Sequence, residues 1–186
     1  MRAFIGIGLP DGVRASLARL QGELGEAGAD VKWTAPALLH VTLKFLDEIS
    51  GTQRQAVDTL LQRVAFHEPA FTFGIEGVGA FPSVQAPRVV WVGLSEGREA
   101  VVRIAQAIER EAQPLGLCCE GRPFSPHLTL GRVRTSRQLA ELSRRLSDAH
   151  WVAPPPWRVS SLTLYQSVLG ANGPVYTVLG AFPLTA

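Results

Sequence analysis

Apolar residues along this chain recur with two periods, and the switches between them outline its elements. Residues 2–8 alternate and are β-prone, which predicts an opening strand. Pro10 and Asp11 then open a helix whose apolar face is Val13, Leu17, Leu20 and Leu24, spaced by four, three and four. Gly25, Gly28 and Asp30 end it. A strand is predicted over 38–46. A second helix comes next, capped by Ser50 and buried through Val57, Leu60, Leu61 and Val64. Two strands are predicted over 70–78 and 88–94, joined through Phe81-Pro82 and Ala86-Pro87. A third helix carries Val101, Ile104, Ala105 and Ile108 as its stripe. A strand over 126–133 precedes a fourth helix with Leu139, Leu142 and Leu146. The run Pro154-Pro155-Pro156 breaks the chain, and strands at 157–168 and 174–180 close it around a turn from Gly170 to Gly173.

Each half thus supplies helices, a strand with its own motif, and further strands. That predicts an α+β class, quasi-duplicated and bilobal, with two antiparallel sheets facing a central cleft and helices outside. With 186 residues, 46% of them hydrophobic, residues 1–186 suffice for a single domain of two lobes sharing a core. The net charge of +2 is too small for a surface that coats nucleic acid, so any polyanion contact must be local. The cations are arginines except for Lys32 and Lys44. Arginine forks suit phosphate, although genome composition explains the bias more simply.

Cys118 and Cys119 are adjacent; vicinal cysteines pair only with strain, and two cysteines do not make a zinc site. The expected setting is reducing and cytoplasmic. The apolar run at the N-terminus is too short for a signal peptide, and no stretch reaches membrane-spanning length.

Two of the four histidines sit in nearly identical segments: His40-Val41-Thr42-Leu43 and His127-Leu128-Thr129-Leu130. On a strand, His40 and Thr42 share one face while Val41 and Leu43 point into a core; the second segment repeats the pattern. Paired polar rungs on equivalent strands are better explained by a shared cleft than by packing, because buried polar groups cost stability unless partnered. Imidazole titrates near neutrality, so one ring can be base while the other is acid. Threonine hydroxyls can donate to phosphate oxygens without adding charge. That set fits in-line displacement at a phosphodiester without a metal or other cofactor. Neither motif has the neighbours a metal site needs, and no nucleophile elbow is present. His67 is expected at the C-terminal end of the second helix and His150 in a loop, neither with a role.

The chain resembles the 2H phosphoesterases, specifically the RNA 2′,3′-cyclic phosphodiesterases also called 2′-5′ RNA ligases. The resemblance rests on the paired motifs and on RAFIGIGLPDGVR, KWTAPALLHVTLKFLDEI, GVGAFPSVQAPRVVWVGL, RPFSPHLTLGRVR and LTLYQSVLGANGPVYTVLGAF. It implies that His40 is the general acid on the O3′ leaving group and His127 the general base on water, giving a 2′-phosphate. It also implies that Thr42, Thr129 and Arg132 hold the phosphate and that Phe45 stacks on the base. Strand parity disagrees with the positions of Arg132 and Phe45. A regular strand puts Lys44 and Gly131 on the histidine face, and parity alone names Lys44 as the phosphate contact. Arg132 is preferred because of the family match and its two-pronged grip; a bulge or twist near the strand ends, or side chains reaching around a rim, would resolve the conflict. Asp47 stands where the family has a glycine.

The expected partner is RNA ending in a 2′,3′-cyclic phosphate, or a small cyclic nucleotide, bound by a monomer with no metal and no membrane. Reversal, with a 5′-hydroxyl in place of water, would be 2′-5′ ligation. Two alternatives stay open: a sibling 2H enzyme acting on another cyclic phosphate or a 2′-5′ oligonucleotide, and a non-catalytic module that binds RNA ends. Phe45 and the loops near Pro82 to Pro87 would decide between substrates.

Overall fold

The computed structural model describes residues 1–117, 121, 124–171 and 173–186; Cys118 and Cys119 lie outside the described residues. The chain runs β1 (Arg2–Gly8), α1 (Asp11–Gly25), β2 (Val31–Trp33), β3 (His40–Glu48), α2 (Gly51–His67), β4 (Phe71–Ser83) and β5 (Ala86–Glu96). It continues with α3 (Arg98–Ala112), β6 (Leu128–Val133), α4 (Leu139–Ser147), β7 (Trp157–Val159), β8 (Ser161–Gly170) and β9 (Gly173–Pro183).

The strands form two antiparallel sheets. One has the order β3-β1-β8-β9 and the other β2-β6-β5-β4-β7. Leaving out β2, the orders correspond position by position: β3 with β6, β1 with β5, β8 with β4, β9 with β7. Each sheet draws strands from both halves of the chain. The helices exchange as well. α2 and α3 cover the outer face of the first sheet, whereas α1 and α4 cover the second.

The expected stripes are the buried ones. Val13, Leu17, Leu20 and Leu24 of α1, Val57, Leu60, Leu61 and Val64 of α2, and Val101, Ile104, Ala105 and Ile108 of α3 are all in the core, as are Leu142 and Leu146 of α4. Ser50 caps α2 by accepting from the Gln53 backbone N–H, and Gln53 reciprocates in a capping box. His67 is the last residue of α2.

Three expectations change. The predicted strand over 157–168 is two strands: Trp157–Val159 pairs with β4, and Ser161–Gly170 joins the other sheet beside β1. The hairpin of β4 and β5 runs through its prolines, with Pro82 opposite Pro87. Both sit where their strand has a partner on one side only, so no ladder N–H is missed. The short β2 pairs with β6 and carries too few residues for a periodic signal. No helix among the described residues is long and apolar enough to cross a membrane.

At its end β3 opens into an irregularity: Ala3 pairs with Asp47 and Phe4 with Phe45, leaving Leu46 as an extra residue. Asp47 accommodates it with φ of 52°, a left-handed conformation that favours glycine. Asp47→Val is expected to lower stability by about 1–2 kcal/mol, while Asp47→Gly should cost nothing; urea denaturation measures both.

Candidate active site

Both histidine strands carry the same defect one residue beyond the threonine. In β3, Thr42 pairs with Gly6 and Lys44 with Ile5, so Leu43 is an extra residue. In β6, Thr129 pairs with Trp91 and Gly131 with Val90, so Leu130 is the extra one. Each bulge reverses the parity of the residues after it. Phe45 therefore lies opposite Phe4 on the face of His40, and Arg132 opposite Val89 on the face of Thr129. The parity reading of Lys44 and Gly131 is overturned. Lys44 turns away from the cleft into the core, where its Nζ pairs with Glu109 Oε2 of α3 at 2.6 Å. Gly131 turns inward as well: a Cβ there would meet Trp33 and Val31 at 2.8 Å.

Polar side chains from the crossing helices meet both bulges. Glu109 of α3 takes Lys44, the residue after Leu43. Gln21 of α1, also buried, donates through Nε2 to the carbonyls of Leu130 at 2.9 Å and Thr34 at 2.7 Å. Buried amide hydrogens need acceptors, and the Leu130 carbonyl, which also accepts from the Thr34 backbone N–H at 2.8 Å, offers its second lone pair to Gln21.

The two imidazoles are held alike. His40 Nδ1 lies 2.7 Å from the carbonyl of Leu38, and His127 Nδ1 lies 2.7 Å from that of Ser125. A carbonyl only accepts, so Nδ1 carries a proton in each ring and Nε2 is left to exchange one. His40 Nε2 lies 3.0 Å from Thr42 Oγ1. Their surroundings differ. His40 stacks on Phe4 with centroids 4.6 Å apart and meets the Tyr176 ring edge-on at 5.4 Å. Burial pushes its pKa below the ordinary value, against the pull of the Leu38 carbonyl. His127, placed just before β6 rather than within it, meets the edge of Phe81 at 5.0 Å.

Gly6 makes room for this arrangement, since a Cβ there would press on the Val41 carbonyl and the His40 ring. Arg132 is exposed, and its charge reaches across to the other sheet: burial raises the Tyr176 phenol pKa while Arg132 opposes that rise. Lys32 of β2 pairs directly opposite Arg132, so two cations share this rim. Like charges opposite one another are unfavourable without an anion, and among the described residues neither has a carboxylate partner. Periodicity does not mark Lys32, Phe4, Tyr165 or Tyr176; neither histidine motif contains them, and strand pairing brings them to the cleft. His150 is exposed and away from both motifs.

Two surface recesses lie elsewhere, one beside Leu24 and Arg144 and one beside Val64 and Arg110. In the first, Arg144 and Arg145 are taken by Glu141, Asp148 and Glu26; in the second, Arg63 is taken by Glu111. Neither contains paired histidines. Among the described residues no three His, Cys, Asp or Glu side chains gather as metal ligands.

Known proteins are similar to this chain in sequence and fold. The family described as LigT like Phosphoesterase matches residues 7–91 and again 92–176. The chain belongs to the LigT-like phosphoesterase family. The RNA 2′,3′-cyclic phosphodiesterase of Methanothermobacter thermautotrophicus is 34% identical over 185 residues, 99% of each chain. That of Escherichia coli is 30% identical over 190 residues, covering 99% of this chain and 97% of the relative. The crystal structure of E. coli LigT complexed with 3′-AMP superposes with a TM-score of 0.80 at 27% identity, over 100% of this chain and 98% of that one. The crystal structure of TT0787 of Thermus thermophilus gives 0.81 at 29% identity, over 99% and 98%.

The two family matches begin at Ile7 and Val92, each one residue after the partner of a motif threonine, Gly6 or Trp91. The LigT-like repeat and the paired bulges therefore describe one duplication.

The packing behind the site sets its stability. Removing one member of a buried ion pair leaves a charge behind, so Glu109→Ala should cost about 2 kcal/mol or more and Lys44→Met less; paired urea titrations compare them. His40 has its pKa lowered on folding, so the unfolded chain binds more protons between the lowered value and the ordinary 6.5. Its contribution to stability is complete above that window and is lost as pH falls through it. His40→Gln should accordingly show a smaller loss of stability between pH 7.5 and pH 5 than wild type.

Proposed function

We propose that this protein hydrolyses RNA 2′,3′-cyclic phosphate ends to 2′-phosphates by two-histidine acid–base catalysis. The observation that carries the reading is the matched pair of imidazoles. Each has Nδ1 tied to the carbonyl two residues back, each has a threonine on its own face, and Arg132 stands beside the second. The names of the relatives and the 3′-AMP complex of E. coli LigT support the same substrate class.

His127 Nε2 takes a proton from water as the oxygen attacks phosphorus. The P–O3′ bond breaks on the opposite side, and His40 Nε2–H delivers a proton to O3′. Thr42, Thr129 and Arg132 stabilise charge on the remaining oxygens, and Phe45 stacks on the terminal base. Burial keeps His40 neutral in the free site, so the acid role depends on the substrate: the phosphodiester anion draws a proton onto the ring. No step needs a metal. The same site run with a 5′-hydroxyl in place of water joins ends by a 2′-5′ linkage. The enzyme acts as a cytoplasmic monomer, with residues 1–186 as a single domain, since each sheet needs strands from both halves.

Incubation with a short RNA ending in a 2′,3′-cyclic phosphate, in EDTA, tests this. Wild type should form the 2′-phosphate, His40→Ala and His127→Ala should each lose about 10²–10⁴-fold, and Arg132→Ala about 10²-fold. The basic limb of the pH profile should lie higher for kcat than for kcat/KM, because kcat reports the substrate-bound His40. Binding without turnover in wild type would replace the enzyme with an RNA-end-binding module, and neither binding nor turnover would point to another cyclic phosphate.

A further inference from the structure

One aromatic pair on the cleft face is given no role in the steps proposed above. Gly79 pairs with Trp91 and Phe81 with Val89, which places Phe81 and Trp91 on the face that carries Thr129 and Arg132. The indole of Trp91 lies flat across the sheet: a Cβ on Gly79 would run into it, and one on Gly93 would touch its far edge at 3.5 Å. Phe81 leans on it with centroids 5.2 Å apart and an interplanar angle of 35°. Phe81 also meets the His127 ring edge-on at 5.0 Å, yet remains 37% exposed. The opposite sheet has its own open ring, Phe45, beside the Phe4–His40 stack. The cleft therefore holds one aromatic platform beside each histidine.

We infer that Phe81, seated on Trp91, forms a subsite for the base of a second nucleoside, the 5′-hydroxyl end of an acceptor RNA. The inference rests on the phosphodiesterase reading and on the roles it gives the two histidines. In-line displacement puts the entering oxygen across phosphorus from O3′. O3′ leaves on the His40 side, where Phe45 takes the base of the cyclic phosphate terminus. The entering oxygen therefore arrives beside His127, where Phe81 is open. Water needs no platform there; a nucleoside does, because stacking on an aromatic ring is what holds an unpaired base. The step balances without a co-reactant. The acceptor O5′ bonds to phosphorus as its proton passes to His127 Nε2. The P–O3′ bond breaks and O3′ takes the proton from His40. The products are a 2′-5′ phosphodiester and a free 3′-hydroxyl.

Partition within one reaction tests this. The donor is an RNA with a 2′,3′-cyclic phosphate and the acceptor, in excess, a 5′-hydroxyl oligonucleotide. The 2′-phosphate and the joined product are resolved from the same tube. Wild type should form both. Phe81→Leu keeps an apolar contact against His127 but lacks a flat face, and should lower the ratio of joined to hydrolysed product about tenfold. Phe81→Tyr should restore it. An acceptor without its first base should lower the wild-type ratio similarly, with little further loss in Phe81→Leu. A ring that only props His127 would slow both products together and leave the ratio unchanged. An unchanged ratio, or hydrolysis by wild type with no joined product, overturns the subsite alone. Neither product from wild type overturns the phosphodiesterase reading, and the subsite with it.

Discussion

The site depends on one backbone irregularity used twice. Without the extra residues Leu43 and Leu130, Phe45 and Arg132 would point into the core, and Lys44 would face the cleft. A bulge disrupts the ladder locally, and each bulged strand is met from behind by a polar group of a helix. On one strand that is Gln21, reaching from α1 to the Leu130 carbonyl. On the other it is the Lys44–Glu109 pair, which ties the residue after the bulge to α3. Polar residues on otherwise apolar helix faces thus hold the cleft side chains in register from behind the sheets.

The helices that do this are the exchanged ones. α1 leaves the first sheet and packs behind the second, and α3 does the reverse. Strands cross over too, β4 one way and β8 with β9 the other. Neither sheet can be completed by half of the chain. Each motif strand is therefore braced by a helix that comes after a strand of the opposite sheet, which couples the two halves of the LigT-like duplication into one cleft.

Duplication did not make the two halves chemically equal. His40 is packed among Phe4, Tyr165 and Tyr176, and burial favours its neutral form. His127 stands at the rim beside Phe81, with the cations Arg132 and Lys32 on the same sheet. The two rings thus differ in the packing around them, while their Nδ1 contacts are the same.

Local pattern determined a great deal. The stripes of α1, α2 and α3 and the Ser50 cap are read from spacing alone, because a helix buries side chains at a fixed period. The alternation of His40-Val41-Thr42-Leu43 likewise put His40 and Thr42 on one face and Val41 and Leu43 in the core. Asp47, which departs from the family's glycine, put the local turn in question, and the backbone there is left-handed. Beyond local pattern lay everything set by pairing between distant strands. The parity switch at Leu43 depends on Gly6 and Ile5, and that at Leu130 on Trp91 and Val90. The break at Ser160 depends on which sheet offers an edge to each side of it. Phe4, Tyr165, Phe81 and Lys32 join the site only because tertiary structure lays their strands beside the motif strands or their neighbours. Periodicity records which face a residue prefers; a bulge, a sheet switch or a cross-strand neighbour is decided by a partner far along the chain.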